Sequence, residues 1–282
     1  MMRSSVTLGD VSKTAIATLR CRAVESAKPR PLLRDTMAED CVIRLSQLMA
    51  GEEHLLLFER KLSPVLVNYI VLRARKYDAI ANSFVLNNPS SLVVNLGCGF
   101  DTRYWRIDRG DCEYVELDLP EVVALKREVF AERLSYRMIG ASVLDPAWMD
   151  MVNPGGKRRC LLLAEGLFMY LPRQEVISLF RTVSERFRYS RMALEVATQR
   201  YTRGVLKKVT VMKMRRQLGY DAGSSYQFGV RDAREFESFA PGLALLDEWS
   251  YVEDPDVRPR ILRHIGIART QWTVVLGINE RG

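Results

Sequence analysis

The most constraining stretch of the chain is Leu92 to Asp101, Leu-Val-Val-Asn-Leu-Gly-Cys-Gly-Phe-Asp. Its apolar, partly β-branched start follows the turn signal Asn88-Pro89-Ser90-Ser91, which predicts a buried parallel strand over 92–96. Gly97 and Gly99 remove Cβ atoms where the chain must turn tightly and where a ligand approaches the backbone. A second strand, 113–118, ends in Asp118, 19 residues beyond Gly99. That puts a carboxylate at the tip of the neighbouring strand, suited to the two hydroxyls of a ribose. Thr102 stands where a dinucleotide fingerprint has its third glycine, so a nucleoside without a pyrophosphate is favoured over a dinucleotide.

The rhythm continues on both sides of this pair. Strands are expected at about 135–139, 160–164 and 191–196, with helices over 120–134 and 172–188. Two late strands, 243–251 and 272–278, bring the number to seven and close the sheet as an antiparallel pair. The fold class is α/β, a Rossmann-like, doubly wound and mostly parallel sheet with an antiparallel last strand. Ligands of such sheets bind at the carboxyl ends of the strands. The two glycines, Asp118, Asp145 and Glu165 all fall at or just beyond predicted strand ends.

Helices are expected over 13–25, 35–49 with Asp35 as cap, and 64–86 with Val65, Tyr69 and Leu72 on a buried face. They predict an N-terminal helical cap over 1–87, followed by a core over 88–282. Residues at about 198–222 interrupt the alternation as a basic helical insertion. A lid is expected there, its apolar positions packed on the domain and its charges in water; contact with a membrane or a phosphate backbone is the alternative.

The net charge of +8 is spread along the chain without a basic tail, which describes a solvated basic surface better than a nucleic-acid grip. Five cysteines without regular spacing and two histidines, His54 and His264, argue against zinc and against a disulfide framework, and point to a reducing cytoplasm. No N-terminal stretch has the apolar core of a signal peptide, and no segment is apolar for long enough to span a membrane.

Three further groups of residues carry a family likeness. They are Thr18 to Ala23 with Arg73 to Asp78; Asn95 to Arg103 with Glu116-Leu117-Asp118-Leu119-Pro120; and Asp145-Pro146-Ala147-Trp148 with Ala164 to Pro172. On these segments the chain resembles the leucine carboxyl methyltransferase-like group of class I S-adenosylmethionine-dependent methyltransferases. Within that group it is closest to the tetracenomycin-type polyketide carboxyl O-methyltransferase branch. The resemblance implies methyl transfer to a carboxylate oxygen, with S-adenosylmethionine as cofactor, S-adenosylhomocysteine as product and no metal.

It also implies cofactor-binding positions. Arg73, with Arg75 as second choice, falls where the family pairs with the methionyl carboxylate. Asp118 and Leu119 fall at the ribose, and Glu165, Gly166 and Tyr170 at the amino-acid end. Asn95, Gly97, Cys98, Gly99 and Asp101 form the loop between. Ser142 replaces an acidic residue that holds the adenine amino group, a weaker acceptor flanked by Val143 and Asp145. Cys98 needs only to be small and is not expected to act as a nucleophile.

A carboxylate acceptor is ionised at neutral pH and needs orientation more than a base. Arg22, Arg200, Tyr201 and Tyr226 are the candidate orienting residues. A small carboxylic acid is the expected partner, with no nucleic acid and no membrane span, in a monomer or homodimer. A protein C-terminal carboxylate, a small-molecule hydroxyl, an RNA-binding role and a catalytically silent partner subunit are the alternatives.

Overall fold

The computed structural model describes residues 9–49, 54–202, 204–218, 226–264 and 270–280. Three helices lead in: α1 (Asp10–Ser26), α2 (Thr36–Leu48) and α3 (Pro64–Asn87), with a short π-helical segment, Leu55–Glu59, before the third. The alternation follows as β1 (Leu92–Leu96), β2 (Glu113–Asp118), α4 (Pro120–Phe130), β3 (Arg137–Gly140), α5 (Ala147–Val152) and β4 (Cys160–Ala164). It ends with α6 (Arg173–Arg186), β5 (Ser190–Ala197), α7 (Gly204–Leu218), β6 (Leu243–Trp249) and β7 (Gln271–Ile278).

The seven strands form one sheet in the order β3-β2-β1-β4-β5-β7-β6. The pairings from β3 through β5 are parallel, and β7 lies between β5 and β6, antiparallel to both. This is the doubly wound, mostly parallel sheet the sequence predicts. Its order reverses at β1, whose neighbours are β2 and β4, and a ligand crevice opens at such a switch point beyond the strand ends.

Every residue of β1 is buried, so both faces of the sheet need cover. Leu92, Val94 and Leu96 meet Trp148, Val176 and Phe236 on one side. Val93 joins Tyr77, Ala81 and Phe84 of α3 on the other. The expectation of three helices over the sheet mouth is corrected here, because α3 is a layer of the sandwich itself. Its buried face is Val67, Ile70, Val71, Ala74 and Tyr77 together with Leu72, whereas Val65 is 41% exposed and Tyr69 half-buried. Among the described residues, α1, α2 and the Leu55–Glu59 segment share a cluster with Phe100 of the glycine turn and Phe130 of α4.

Local chemistry sets the ends of these helices. Asp35 accepts the Ala38 N–H at 3.0 Å to start α2, and Pro64 and Pro120 occupy first-turn positions of α3 and α4. Helix α4 stops short of the expected Leu134 because Ala131 turns left-handed at φ 44°, and β3 begins at Arg137 rather than Ser135. The basic insertion is a 3-10 turn at Gln199–Tyr201 followed by α7; residues 203 and 219–222 lie outside the described residues. Three of its apolar side chains do not pack on the domain as expected: Leu206, Val209 and Met212 are 42%, 47% and 67% exposed.

Candidate active site

The crevice at the switch point is a cavity of about 770 Å³. One end is built by the turn after β1. Gly97 and Gly99 have φ of 61° and 48°, and a Cβ at Gly99 would lie 2.6 Å from that of Ala15, so α1 presses directly on this turn. Asp118, at the end of β2, accepts the Gly99 N–H at 2.6 Å and the Leu119 N–H at 2.7 Å. Burial raises its pKa above the usual carboxylate range, and those two N–H groups offset only part of the rise.

Under the cavity floor lies a network of four arginines and five carboxylates. Arg73 donates from Nε to Glu165 at 2.8 Å and from Nη1 to Glu195 at 2.7 Å. Arg103, fully buried, reaches Asp78 at 2.8 Å, Glu165 at 2.6 Å and also Asp101. Arg106 pairs with Asp78 and Asp35, both at 2.7 Å, and Arg22 pairs with Asp35 at 3.1 Å while donating to the Phe100 carbonyl at 2.8 Å. The network therefore holds one more negative than positive charge. Burial works to raise the pKa of Asp101, but the Arg103 and Arg106 guanidiniums outweigh it and hold the carboxyl well below its ordinary value. Asp35 is lowered through Arg106 and Arg22, and Glu165 through Arg73 and Arg103, each against burial.

The other end is aromatic. Tyr69, Tyr170, Tyr201, Tyr226 and Tyr251 line it with Gln271, whose Nε2 donates to the Tyr226 hydroxyl oxygen at 2.8 Å. The Tyr69 hydroxyl donates to Glu195, which in turn holds Arg73.

Of the residues singled out from sequence, Arg22, Arg73, Asn95, Gly97, Cys98, Gly99, Asp101, Asp118, Leu119, Ser142, Val143, Glu165, Gly166, Tyr170, Tyr201 and Tyr226 converge on this one cavity. Three stand apart. Arg75 points to Asp254 and Asp256, Asp145 is exposed and accepts the Ala147 N–H at 3.0 Å, and Arg200 is exposed. Asp145 therefore caps the α5 turn and offers no help to Ser142, whose own oxygen accepts the Leu144 N–H at 3.2 Å. Burial pushes the Cys98 thiol well above its ordinary pKa, which leaves it inert. Trp148 is wholly buried and holds the Val143 carbonyl at 2.9 Å from behind.

Sequence reasoning assigns no site role to Arg103, Arg106, Asp78, Tyr69 or Glu195. For Glu195 a signal exists: a carboxylate within the apolar strand Met192-Ala193-Leu194-Glu195-Val196 must have a buried partner.

The donor set suits a nucleoside that carries an amino acid. Asp118 offers acceptors at one point, and a carboxylate-rich floor suits a cation. No described residue accepts from Nη2 of Arg73, and a Cβ at Gly166 would stand 3.9 Å from that nitrogen and 3.4 Å from Glu195 Oε2. The bare turn at Gly166 thus leaves the guanidinium edge open to a ligand. Among the described residues no cluster of three or more His, Cys, Asp or Glu side chains is arranged for a metal ion.

Comparison with known proteins agrees with this geometry. The chain is 30% identical over 266 residues to the tetracenomycin polyketide synthesis O-methyltransferase TcmP of Streptomyces glaucescens, covering 92% of this chain and 90% of that protein. It is 27% identical to the S-adenosyl-L-methionine-dependent methyltransferase dpfgK of Gibberella zeae, over 89% of this chain and 86% of that one. A crystal structure of a DUF574 family protein of Streptomyces avermitilis shares the fold at a TM-score of 0.56 and 13% identity, covering 95% of this chain and 99% of that one. The sheet is that of the class I methyltransferases. Residues 15–184 match the leucine carboxyl methyltransferase family, and the chain belongs to that family of S-adenosylmethionine-dependent methyltransferases.

Proposed function

We propose that the cavity brings S-adenosylmethionine together with a small, polyketide-like carboxylic acid, which leaves as its methyl ester. The observation that carries this reading is a single continuous cavity, with Asp118, Arg73 and Glu165 at one end and a tyrosine-walled chamber at the other. The similarity to TcmP supports the acceptor class.

S-adenosylmethionine supplies an electrophilic methyl group on a sulfonium sulfur. The chain supplies binding, orientation and exclusion of water. Asp118 accepts from the ribose hydroxyls, Arg73 through Nη2 holds the amino-acid carboxylate, and Glu165 accepts from the ammonium. The excess negative charge of the buried network favours a cationic ligand. At the acceptor end, Tyr201, Tyr226 and Gln271 orient the acid without a full charge. A cation fixed on the attacking oxygen would stabilise the ground state and lose that interaction as the oxygen's charge is consumed. Among the described residues that line the cavity, Arg22 and Arg73 are the only basic ones, and both are engaged with carboxylates.

A hydroxyl acceptor is the second reading, favoured by the bond from Tyr69 to Glu195. An acceptor that arrives protonated could pass its proton to the Tyr69 oxygen while Tyr69 passes its own to Glu195. Mass-spectrometric detection of methylated products from a panel of aromatic acids and phenols, with wild type and Tyr69→Phe, tests both readings. Ester formation little changed by the substitution supports the first. Phenol methylation that falls by about 10²-fold or more in the variant supports the second.

A further inference from the structure

Although basic residues are spread along the sequence, the fold brings three acid-free basic segments together at the cavity. Three segments supply wall residues there: 60–66 through Val65 and Leu66, α7 through Val209, and 257–264 through Leu262. Together these 30 residues contain ten Lys or Arg and no Asp or Glu, and the rest of the chain has two more acidic than basic residues. These three segments thus carry +10, against −2 for the rest of the chain. Lys207 turns inward and donates to the Tyr226 carbonyl at 3.0 Å, while Lys208, Arg215, Arg216 and Arg260 are exposed. Arg60 joins two of the segments by donating to the Arg216 carbonyl at 2.6 Å.

The same rim holds large aliphatic side chains in water. Val65 and Val209 are joined by Leu206 at 42% exposure, Ile261 at 63% and Met212 at 67%. Steering of a small anion into the cavity explains the charge alone and has no use for exposed aliphatic side chains. A second copy of the chain would set this positive rim against itself. A helix with both bulky aliphatic and basic side chains facing outward suits the headgroup boundary of an anionic bilayer, where each kind finds a partner.

We propose that the cavity mouth docks on an anionic lipid surface through α7 and the two flanking segments, so that an amphipathic acceptor, its carboxylate on a largely apolar body, enters from the bilayer side. No helix among the described residues is long and apolar enough to cross a membrane, and docking of this kind is peripheral.

Co-sedimentation of the full chain with phosphatidylcholine vesicles, with and without phosphatidylglycerol, tests the proposal. Wild type is expected to pellet with the phosphatidylglycerol vesicles at low ionic strength and to be released by salt. Lys208→Glu with Arg215→Glu should weaken binding by at least about tenfold, and Met212→Ser with Leu206→Ser should weaken it several-fold. Binding of S-adenosylhomocysteine, measured in parallel, should be unchanged in both variants, which shows that they are folded and separates this proposal from the methyltransferase reading. Wild type that stays in the supernatant overturns the proposal. So does binding that ignores charge reversal, or binding to poly-glutamate as tight as to vesicles and indifferent to Met212→Ser, which would identify an acidic polypeptide as the partner.

Discussion

Arg73 and Arg75 lie two residues apart on α3, yet their guanidiniums serve different ends of the molecule. Arg73 is buried between Glu165 and Glu195 on the cavity wall. Arg75 reaches outward to Asp254 and Asp256 at 2.8 and 2.9 Å, tying the β6–β7 connection to the helix. That connection carries Tyr251, whose ring packs edge-on against Tyr69 at 4.6 Å. Arg75→Met is therefore expected to leave the affinity for S-adenosylhomocysteine within about twofold and to cost about 1 kcal/mol, because Arg75 and Asp256 are each about one-third exposed while Asp254 is buried. Arg73→Met leaves the buried Glu195 without its cation and Glu165 with Arg103 alone, and should cost about 3 kcal/mol or more, with loss of cofactor affinity. Calorimetry and thermal unfolding of the two variants measure the contrast.

Contact between α1 and the glycine turn makes a second prediction. Gly99→Ala places a Cβ 2.6 Å from that of Ala15 on a left-handed backbone, so α1 must lift or the turn must change. A loss of about 1–3 kcal/mol in stability is expected, with a larger loss in S-adenosylhomocysteine affinity because the Asp118 hydrogen bond to this N–H shifts with it. Denaturant unfolding gives the first quantity and titration the second.

Behind the same turn, Lys126 lies fully buried against Glu116 at 2.7 Å and donates to the Asp101 carbonyl at 2.7 Å. Lys126→Met strands the Glu116 charge and should cost about 3–5 kcal/mol. Adding Glu116→Gln should recover much of that stability, since the pair is removed together. Urea unfolding of the single and double variants provides the cycle; equal stability of the two would contradict this assignment.

Acid should act in two separated steps. Asp35, Asp101 and Glu165 have lowered pKa values in the folded chain, so the stability they contribute is complete above their unfolded values of about 4 and is lost as pH falls through the lowered folded ones. Asp118 is shifted the other way: with its pKa raised, its own linkage favours the fold at low pH and opposes it as pH rises through the folded value. Protonation of Asp118 removes acceptors from the ribose site. Affinity for S-adenosylhomocysteine is therefore expected to fall on acidification while circular dichroism still reports the native fold. Coincident loss of both would exclude this ordering.

Much of the sheet was legible because its strands are short apolar runs between turn residues; β1, β2 and β4 have the bounds read from sequence. The role of α3 was harder to read. Its apolar residues surround much of the helix, so periodicity could not separate a cap helix from one layered on the sheet. The strand-end residues of the site were readable because topology alone brings them together. The arginine network was less so, since Arg103 and Asp78 meet only when α3 lies beneath the β1 turn. Arg200 and Asp145 were misplaced because side-chain direction at a turn depends on local capping, as the Asp145 bond to Ala147 shows.

The most direct test of the central claim is calorimetric titration of the purified chain with S-adenosylhomocysteine, alongside the charge-reversing Asp118→Lys variant. Micromolar binding by wild type, lost in a variant that retains the native circular dichroism spectrum, is the predicted result. No binding to well-folded wild type, or binding that survives the charge reversal, would contradict the assignment of this cavity as the methyl-donor site.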